Sequence, residues 1–219
     1  MNRKLLKRIL VTSAIAVLGV STSFAALVTE RDQSVDTAPS VGMYRFQVPA
    51  ELQGPYNSTA VANLTTSMEK EPTTLSMNVA HVKGNPSESY VVEIYKDLAA
   101  IETHRKSDQY QAFVNEVGSK LTNRKVYDVQ SVLLFEKKDA LSIVNDGKAV
   151  VTLTEFTVDS NDIDTVQRQY ELDIERAVRD DAGYKAGYVL RERNAKNHWY
   201  VIQIYSDQDA LTKHLNSPG

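Results

Sequence analysis

Apolar and polar positions alternate along this chain with two periods, one suited to strands and one to helices. Residues 43–49 alternate strictly, placing Tyr44, Phe46 and Val48 on one side, as a half-buried strand requires. Val61, Leu64 and Met68 then recur at helical spacing. Asn57 or Ser58 can cap that helix, and Pro72 bars it from continuing much beyond Lys70. Residues 75–83 and 90–95 read as strands joined across the turn chemistry of Gly84-Asn85-Pro86-Ser87. Asp97 opens a helical stretch that residues 108–121 continue, with Tyr110, Phe113, Val117 and Leu121 on one face. Residues 126–136 close the series as a strand. The order is β-α-β-β-α-β, the split-βαβ or ferredoxin-like arrangement.

After a polar linker at 137–148 the order begins again. Residues 149–158 form a strand, and residues 162–179 a helix striped by Ile163, Val166, Tyr170, Ile174 and Ala177, with Gly183 just past its end. Strands at 184–191 and 198–205 follow, and Asp207 opens a last helix. The letters repeat as well as the pattern. Residues 90–107, YVVEIYKDLAAIETHRKS, match residues 200–217, YVIQIYSDQDALTKHLNS, without a gap at an offset of 110. Tyr90/Tyr200, Tyr95/Tyr205, Asp97/Asp207 and His104/His214 are among the identities, and Phe46/Phe156 keeps the same offset. The chain therefore reads as two modules, 43–136 and 149–219. The second is incomplete at its C-terminus, because nothing in it corresponds to 108–136. A missing edge strand would leave backbone groups unpaired. The linker, the N-terminal segment or a second chain is expected to cover that edge.

Composition changes the picture mainly at the N-terminus. Arg3, Lys4, Lys7 and Arg8 precede an uncharged, mostly apolar run over 9–20, and Ser23-Phe24-Ala25 puts small residues where a signal peptidase reads. Residues 1–25 are expected to be a secretory signal peptide cut after Ala25, giving a periplasmic or secreted protein. The apolar run is too short to span a bilayer. Residues 26–42 read as a flexible lead-in. The formal net charge of −3 becomes more negative once those four basic residues are removed, which argues against nucleic acid or anionic membrane as partner. The sequence has no cysteine, so disulfides and thiolate metal sites are excluded. Neither metal-binding histidine spacing nor a nucleotide-binding or serine-hydrolase motif appears.

The doubled block, Glu93–Ser107 and Gln203–Ser217, has the form E/Q-I-Y-x-D-x-x-A-[IL]-x-x-H-x-x-S, and in module one the aromatic stretch DQYQAFVNEV follows it. This resembles the antibiotic biosynthesis monooxygenase (ABM) domain family, which includes small quinol monooxygenases. The resemblance implies an α+β fold: tandem ferredoxin-like modules forming a dimeric α+β barrel, sheet packed on sheet around a pocket. The pair could form within one chain or as a homodimer. It also implies a small aromatic substrate, dioxygen as co-substrate and no cofactor: the protein supplies a dry pocket, a base and an anion-stabilising donor. The haem-degrading relatives carry an Asn-Trp-His set. Here His104 and His214 fall where the tryptophan would be, and Val114 where the histidine would be, which disfavours haem degradation.

Within that frame His104 is the first candidate base, with His214 as its second-module equivalent. A histidine in a helix turn can equally bond Ser107, three residues on. Along the strand, Val91, Glu93 and Tyr95 share one face and Tyr90, Val92 and Ile94 the other. The first face is expected to look into the barrel and the second to meet the helices. Glu93 would then be an alternative base and Tyr95 a donor to a substrate oxyanion, with Gln203 and Tyr205 as equivalents. Because Glu93 becomes Gln203, a carboxylate base would restrict activity to module one. The competing reading is a non-catalytic binding or assembly module that keeps the barrel.

Overall fold

The computed structural model describes residues 7–16, 39–137 and 148–217. Its elements run β1 (Lys7–Ala16), β2 (Ser40–Gln47), α1 (Gln53–Lys70), β3 (Thr74–Val82), β4 (Asn85–Tyr95), α2 (Leu98–Arg105) and α3 (Asp108–Glu116), then β5 (Thr122–Tyr127) and β6 (Val129–Glu136). Module two follows as β7 (Val150–Thr157), α4 (Ile163–Asp180), β8 (Tyr184–Glu192), β9 (His198–Tyr205) and α5 (Gln208–Asn216). All strand pairs are antiparallel, in the order β5-β2-β4-β3-β1-β7-β9-β8-β6. Two four-stranded sheets, β5-β2-β4-β3 and β7-β9-β8-β6, are thus joined through β1. No described helix is long and apolar enough to cross a membrane.

Each sheet buries both faces. One face meets the helices of its own module; the other meets the opposite sheet. Met43, Tyr90, Val92 and Ile94 of module one share a core with Leu134, Tyr188, Leu190, Tyr200 and Ile202. Burying each such side chain is worth about 1.5–3 kcal/mol, so this shared core holds the two modules as one barrel within a single chain. The helix-side cores are separate: Phe46, Val48, Tyr56, Leu64, Met77, Val79 and Val91 in module one, and Val158, Ile174, Ala177, Tyr184, Trp199, Val201 and Tyr205 in module two.

Several sequence expectations need correcting. The faces of β4 are inverted: Tyr90, Val92 and Ile94 fill the space between the sheets, while Val91 packs against the helices. Alternation assigns residues to common faces but does not say which face a helix will cover. The strand expected over 126–136 is two strands. β5 pairs with β2, and β6 crosses to pair with β8 of the other module. The N-terminal segment, one of the expected covers, closes the remaining edges, as β1 pairs with both β7 and β3. Helix α1 starts before Asn57, and no side chain caps it. The buried face of α1 is Tyr56, Ala60, Asn63, Leu64 and Ser67. The second helical stretch breaks in two. Asp97 caps α2 by accepting from the Ala100 N–H at 2.8 Å, and Ser107 caps α3 by accepting from the Tyr110 N–H at 3.4 Å. Asp207 caps α5 as Asp97 caps α2, at 2.7 Å to the Ala210 N–H. Gly183 serves close packing instead of a helix end, since a Cβ there would lie 2.3 Å from that of Ala210. Residues 40–42, read as lead-in, belong to β2. The rest of the lead-in, most of the linker and the proposed cut after Ala25 lie outside the described residues.

Candidate active site

Side chains leave a gap of about 20 Å³ between the sheets, beside Met43, Val92 and Ile202, and a larger pocket forms on the other side of the module-one sheet. A cavity of about 180 Å³ lies there beneath the helices. Tyr44, Phe46, Val79 and Val91 come from the sheet. Tyr56, Asn63 and Leu64 come from α1, Ile101, His104 and Arg105 from α2, Tyr110 and Phe113 from α3, and Leu121 and Arg124 from the chain beyond. Glu93 and Tyr95 line it too. The inversion of the β4 faces therefore keeps the three leading candidates, His104, Glu93 and Tyr95, together around one cavity, on the helix side of the sheet.

His104 is 1% exposed, and its Nδ1 lies 3.1 Å from Glu71 Oε2. Glu71 follows the last turn of α1 in extended conformation, which turns its carboxylate back beneath α2. It also accepts from Thr74 Oγ1 at 2.7 Å and from Gln109 Nε2 at 2.5 Å. A carboxylate only accepts, so the proton on the neutral imidazole resides on Nδ1. Nε2 then carries the free lone pair. That nitrogen is buried and has no hydrogen-bond partner. A lone pair held in this way, on a ring that lines the cavity, could accept a proton from a group bound there. The alternative partner for His104 is not used: the Ser107 side chain caps α3 instead.

Glu93 and Tyr95 form the sheet side of the site. Tyr95 donates to Glu93 Oε2 at 3.0 Å. Burial pushes the Glu93 carboxyl above its ordinary range, against the opposing pull of His104 and of the Tyr95 hydroxyl. Burial, and then the neighbouring Glu93 charge, raise the Tyr95 phenol well above its ordinary range. Tyr95 is therefore a fixed phenol whose O–H is engaged by Glu93, and it is not free to donate to a substrate oxyanion. Glu93 suits the role of a held acid better than that of a base.

Glu71 and Asn63 are among the site residues that escaped sequence reasoning. Glu71 had a signal: an acidic residue stands 33 positions before the histidine in both modules, as Glu71 and as Asp181. Asn63, buried with Oδ1 unpartnered against the cavity, had none.

Module two keeps the histidine–carboxylate pair and packs a further aromatic ring against it. His214 Nδ1 lies 2.8 Å from Asp181 Oδ2. Tyr184 stands where module one has Thr74, and its ring centroid is 5.2 Å from those of both Tyr205 and His214. Gln203, the counterpart of Glu93, donates to the Tyr184 hydroxyl at 3.3 Å. Gly187 makes room for this ring; a Cβ there would lie 2.3 Å from the Tyr184 hydroxyl. Among the described residues of module two nothing corresponds to α3, whose Tyr110 and Phe113 wall the module-one cavity.

Two ferredoxin-like modules packed sheet to sheet, with a pocket under the helices of one, define a dimeric α+β barrel protein. The chain belongs to the antibiotic biosynthesis monooxygenase family, whose profile matches residues 41–116 and 149–219. Among solved structures, a candidate monooxygenase from Lactobacillus acidophilus is similar at 19% identity, with a TM-score of 0.75 over 83% of each chain. A candidate monooxygenase from Fusobacterium nucleatum is similar at 22% identity, with a TM-score of 0.69 over 83% of this chain and 82% of that one. At these identities the likeness is one of fold. No curated protein matches the sequence.

Proposed function

We propose that module one is a cofactor-independent monooxygenase that oxidises a quinol or similarly electron-rich phenol with dioxygen, in an exported protein. The observation that carries this reading is the bare Nε2 of His104, locked by Glu71 in a mostly apolar cavity. His104 takes the hydroxyl proton of the bound quinol. The anion passes one electron to dioxygen, and the resulting pair combines at a ring carbon. The peroxide anion formed there takes up the ring C–H proton as its O–O bond breaks, leaving a carbonyl at that carbon, and the departing hydroxide takes the proton held on His104 to become water. One quinol and one dioxygen thus give one hydroxyquinone and one water. Glu93, protonated over a wider pH range than an exposed carboxyl, keeps negative charge from accumulating beside the anion. Export is supported by the basic, apolar and small-residue succession over 1–25.

The test is oxygen uptake by the purified protein with a panel of hydroquinones and anthrols, chelator present. Uptake that falls in His104→Ala is expected. A folded protein that consumes no oxygen with any of them would sink the proposal. The non-catalytic alternative is favoured for module two alone, because Tyr184 occupies the space a substrate would need.

A further inference from the structure

Two cations, Arg105 and Arg124, line the module-one pocket. Arg105, at the C-terminal end of α2, lies beside the Tyr44 hydroxyl and pulls against the burial that raises that phenol. Arg124, on β5, sits over the same residue from another side. Its guanidinium is 5.7 Å from the Tyr44 ring centroid and 5.9 Å from that of Phe46. The two rings stack at 6.1 Å with 10° between their planes, so the two guanidinium groups flank one aromatic wall. Arg105 holds an exposed ion pair with Glu102 at 2.9 Å. Among the described residues no carboxylate forms an ion pair with Arg124. The carboxyl that lines the cavity, Glu93, is held toward its neutral form by burial. Leu215 stands in module two where Arg105 stands in module one, and Thr154 where Tyr44 stands. Arg105 is thus not a residue that both modules keep.

We infer that the pocket selects aromatic substrates carrying an anionic substituent, a carboxylate or sulfonate, which Arg105 and Arg124 bind while the ring lies along Tyr44 and Phe46. The phenolic hydroxyl is then directed inward to His104. Guanidinium groups pair with carboxylate and sulfonate oxygens through charge-assisted hydrogen bonds, which are stronger than neutral ones. In a protein of net negative charge, a cationic pocket mouth also raises the local concentration of an anionic ligand over that of a neutral one. This inference deepens the monooxygenase reading and rests on it for the identity of the ring, but the charge preference is measurable without turnover.

The experiment is calorimetric titration of the full chain with 3-hydroxybenzoate and with its neutral isostere 3-hydroxybenzamide, which test binding apart from oxidation. The carboxylate is expected to bind about tenfold tighter or better. The gap should collapse in Arg105→Met/Arg124→Met while the affinity for the amide is retained, which also shows that the variant is folded. Equal affinity for the two probes, a preference that survives loss of both arginines, or no binding of either would overturn it. Oxygen uptake with 2,5-dihydroxybenzenesulfonate and with hydroquinone separates the two proposals. A charge preference in binding without uptake of oxygen from either quinol overturns the oxygenase and upholds the anion site. Uptake with no preference between them overturns the anion site alone.

Discussion

Glu71 accepts from His104, Thr74 and Gln109 at once, and this crowding is what fixes the histidine tautomer. An amide at position 71 would turn a donor toward some of these donors and release the imidazole to protonate at either nitrogen. Glu71→Gln is therefore expected to lower kcat for oxygen uptake by at least about tenfold with KM little changed, because the ring orientation serves the proton transfer more than the binding. His104→Gln should cost more, on the order of a hundredfold to ten-thousandfold, as expected for removal of a general base. An uptake rate unaffected by His104→Gln would assign the base elsewhere. At this scale the doubled block exposed His104, Glu93 and Tyr95, because a side chain that recurs at a fixed offset is visible in the letters. Glu71 was visible by the same logic, but only once the histidine's partner was sought 33 residues upstream. Asn63 looked like an ordinary polar helix position. Its burial depends on how α1 rotates against the sheet, which the stripe of Val61, Leu64 and Met68 misplaced by part of a turn.

Strands and helices were legible as units: the module-two elements fall within a residue or so of their expected limits, because strong periodicity and the Asp207 cap mark them. Connections between elements were not. Nothing local to Asp128 says that β5 stays at home while β6 leaves for the other sheet; that choice is made by an unfilled edge on β8, far away in sequence. The crossing places Glu136 of β6 in a polar group between the sheets, accepting from the Tyr188 hydroxyl, which also contacts Ser76 Oγ at 3.2 Å; Asn78 donates to that same Oγ at 3.1 Å. Desolvation pushes the Glu136 carboxyl up to about 7. The folded protein then holds this proton more tightly than the unfolded chain. Its contribution to stability is complete below the ordinary carboxyl range and is lost as pH rises through about 7. The full span is on the order of 3 kcal/mol. Glu136→Gln keeps an acceptor for Tyr188 and removes the titration. Urea denaturation at pH 5 and pH 8 should show the wild type losing clearly more stability across that interval than the variant. Equal losses would mean that Glu136 does not titrate in the folded barrel. Glu93, also raised, contributes a slope of the same sign in both proteins and drops out of the comparison.

The whole molecule has an approximate twofold plan, and β1 occupies the position where that plan would otherwise fail. On β2, Lys125, Val126 and Tyr127 stand opposite Arg45, Tyr44 and Met43. On β7, Lys7, Arg8 and Ile9 stand opposite Glu155, Thr154 and Leu153, the same three positions displaced by 110. Further along, Leu133 and Leu134 of β6 face Val189 and Tyr188, while Ile15 and Ala16 of β1 face Val79 and Asn78, again 110 apart. One continuous N-terminal strand thus takes on β7 and then on β3 the register that β5 takes on β2 and β6 on β8. A chain beginning at Ala26, as an exported protein cut there would, leaves β3 and β7 each with an unpaired edge facing the other across one strand's width. Exposed edges of this kind recruit another strand. The chain 26–219 is therefore expected to unfold at a temperature several degrees below that of the full chain and to self-associate in sedimentation velocity. A synthetic peptide spanning 5–18 should reverse both changes when added in trans, as strand addition to an open edge does. If 26–219 is monomeric and as stable as the full chain, the two sheets close on each other without a strand between them, and residues 7–16 serve the leader alone.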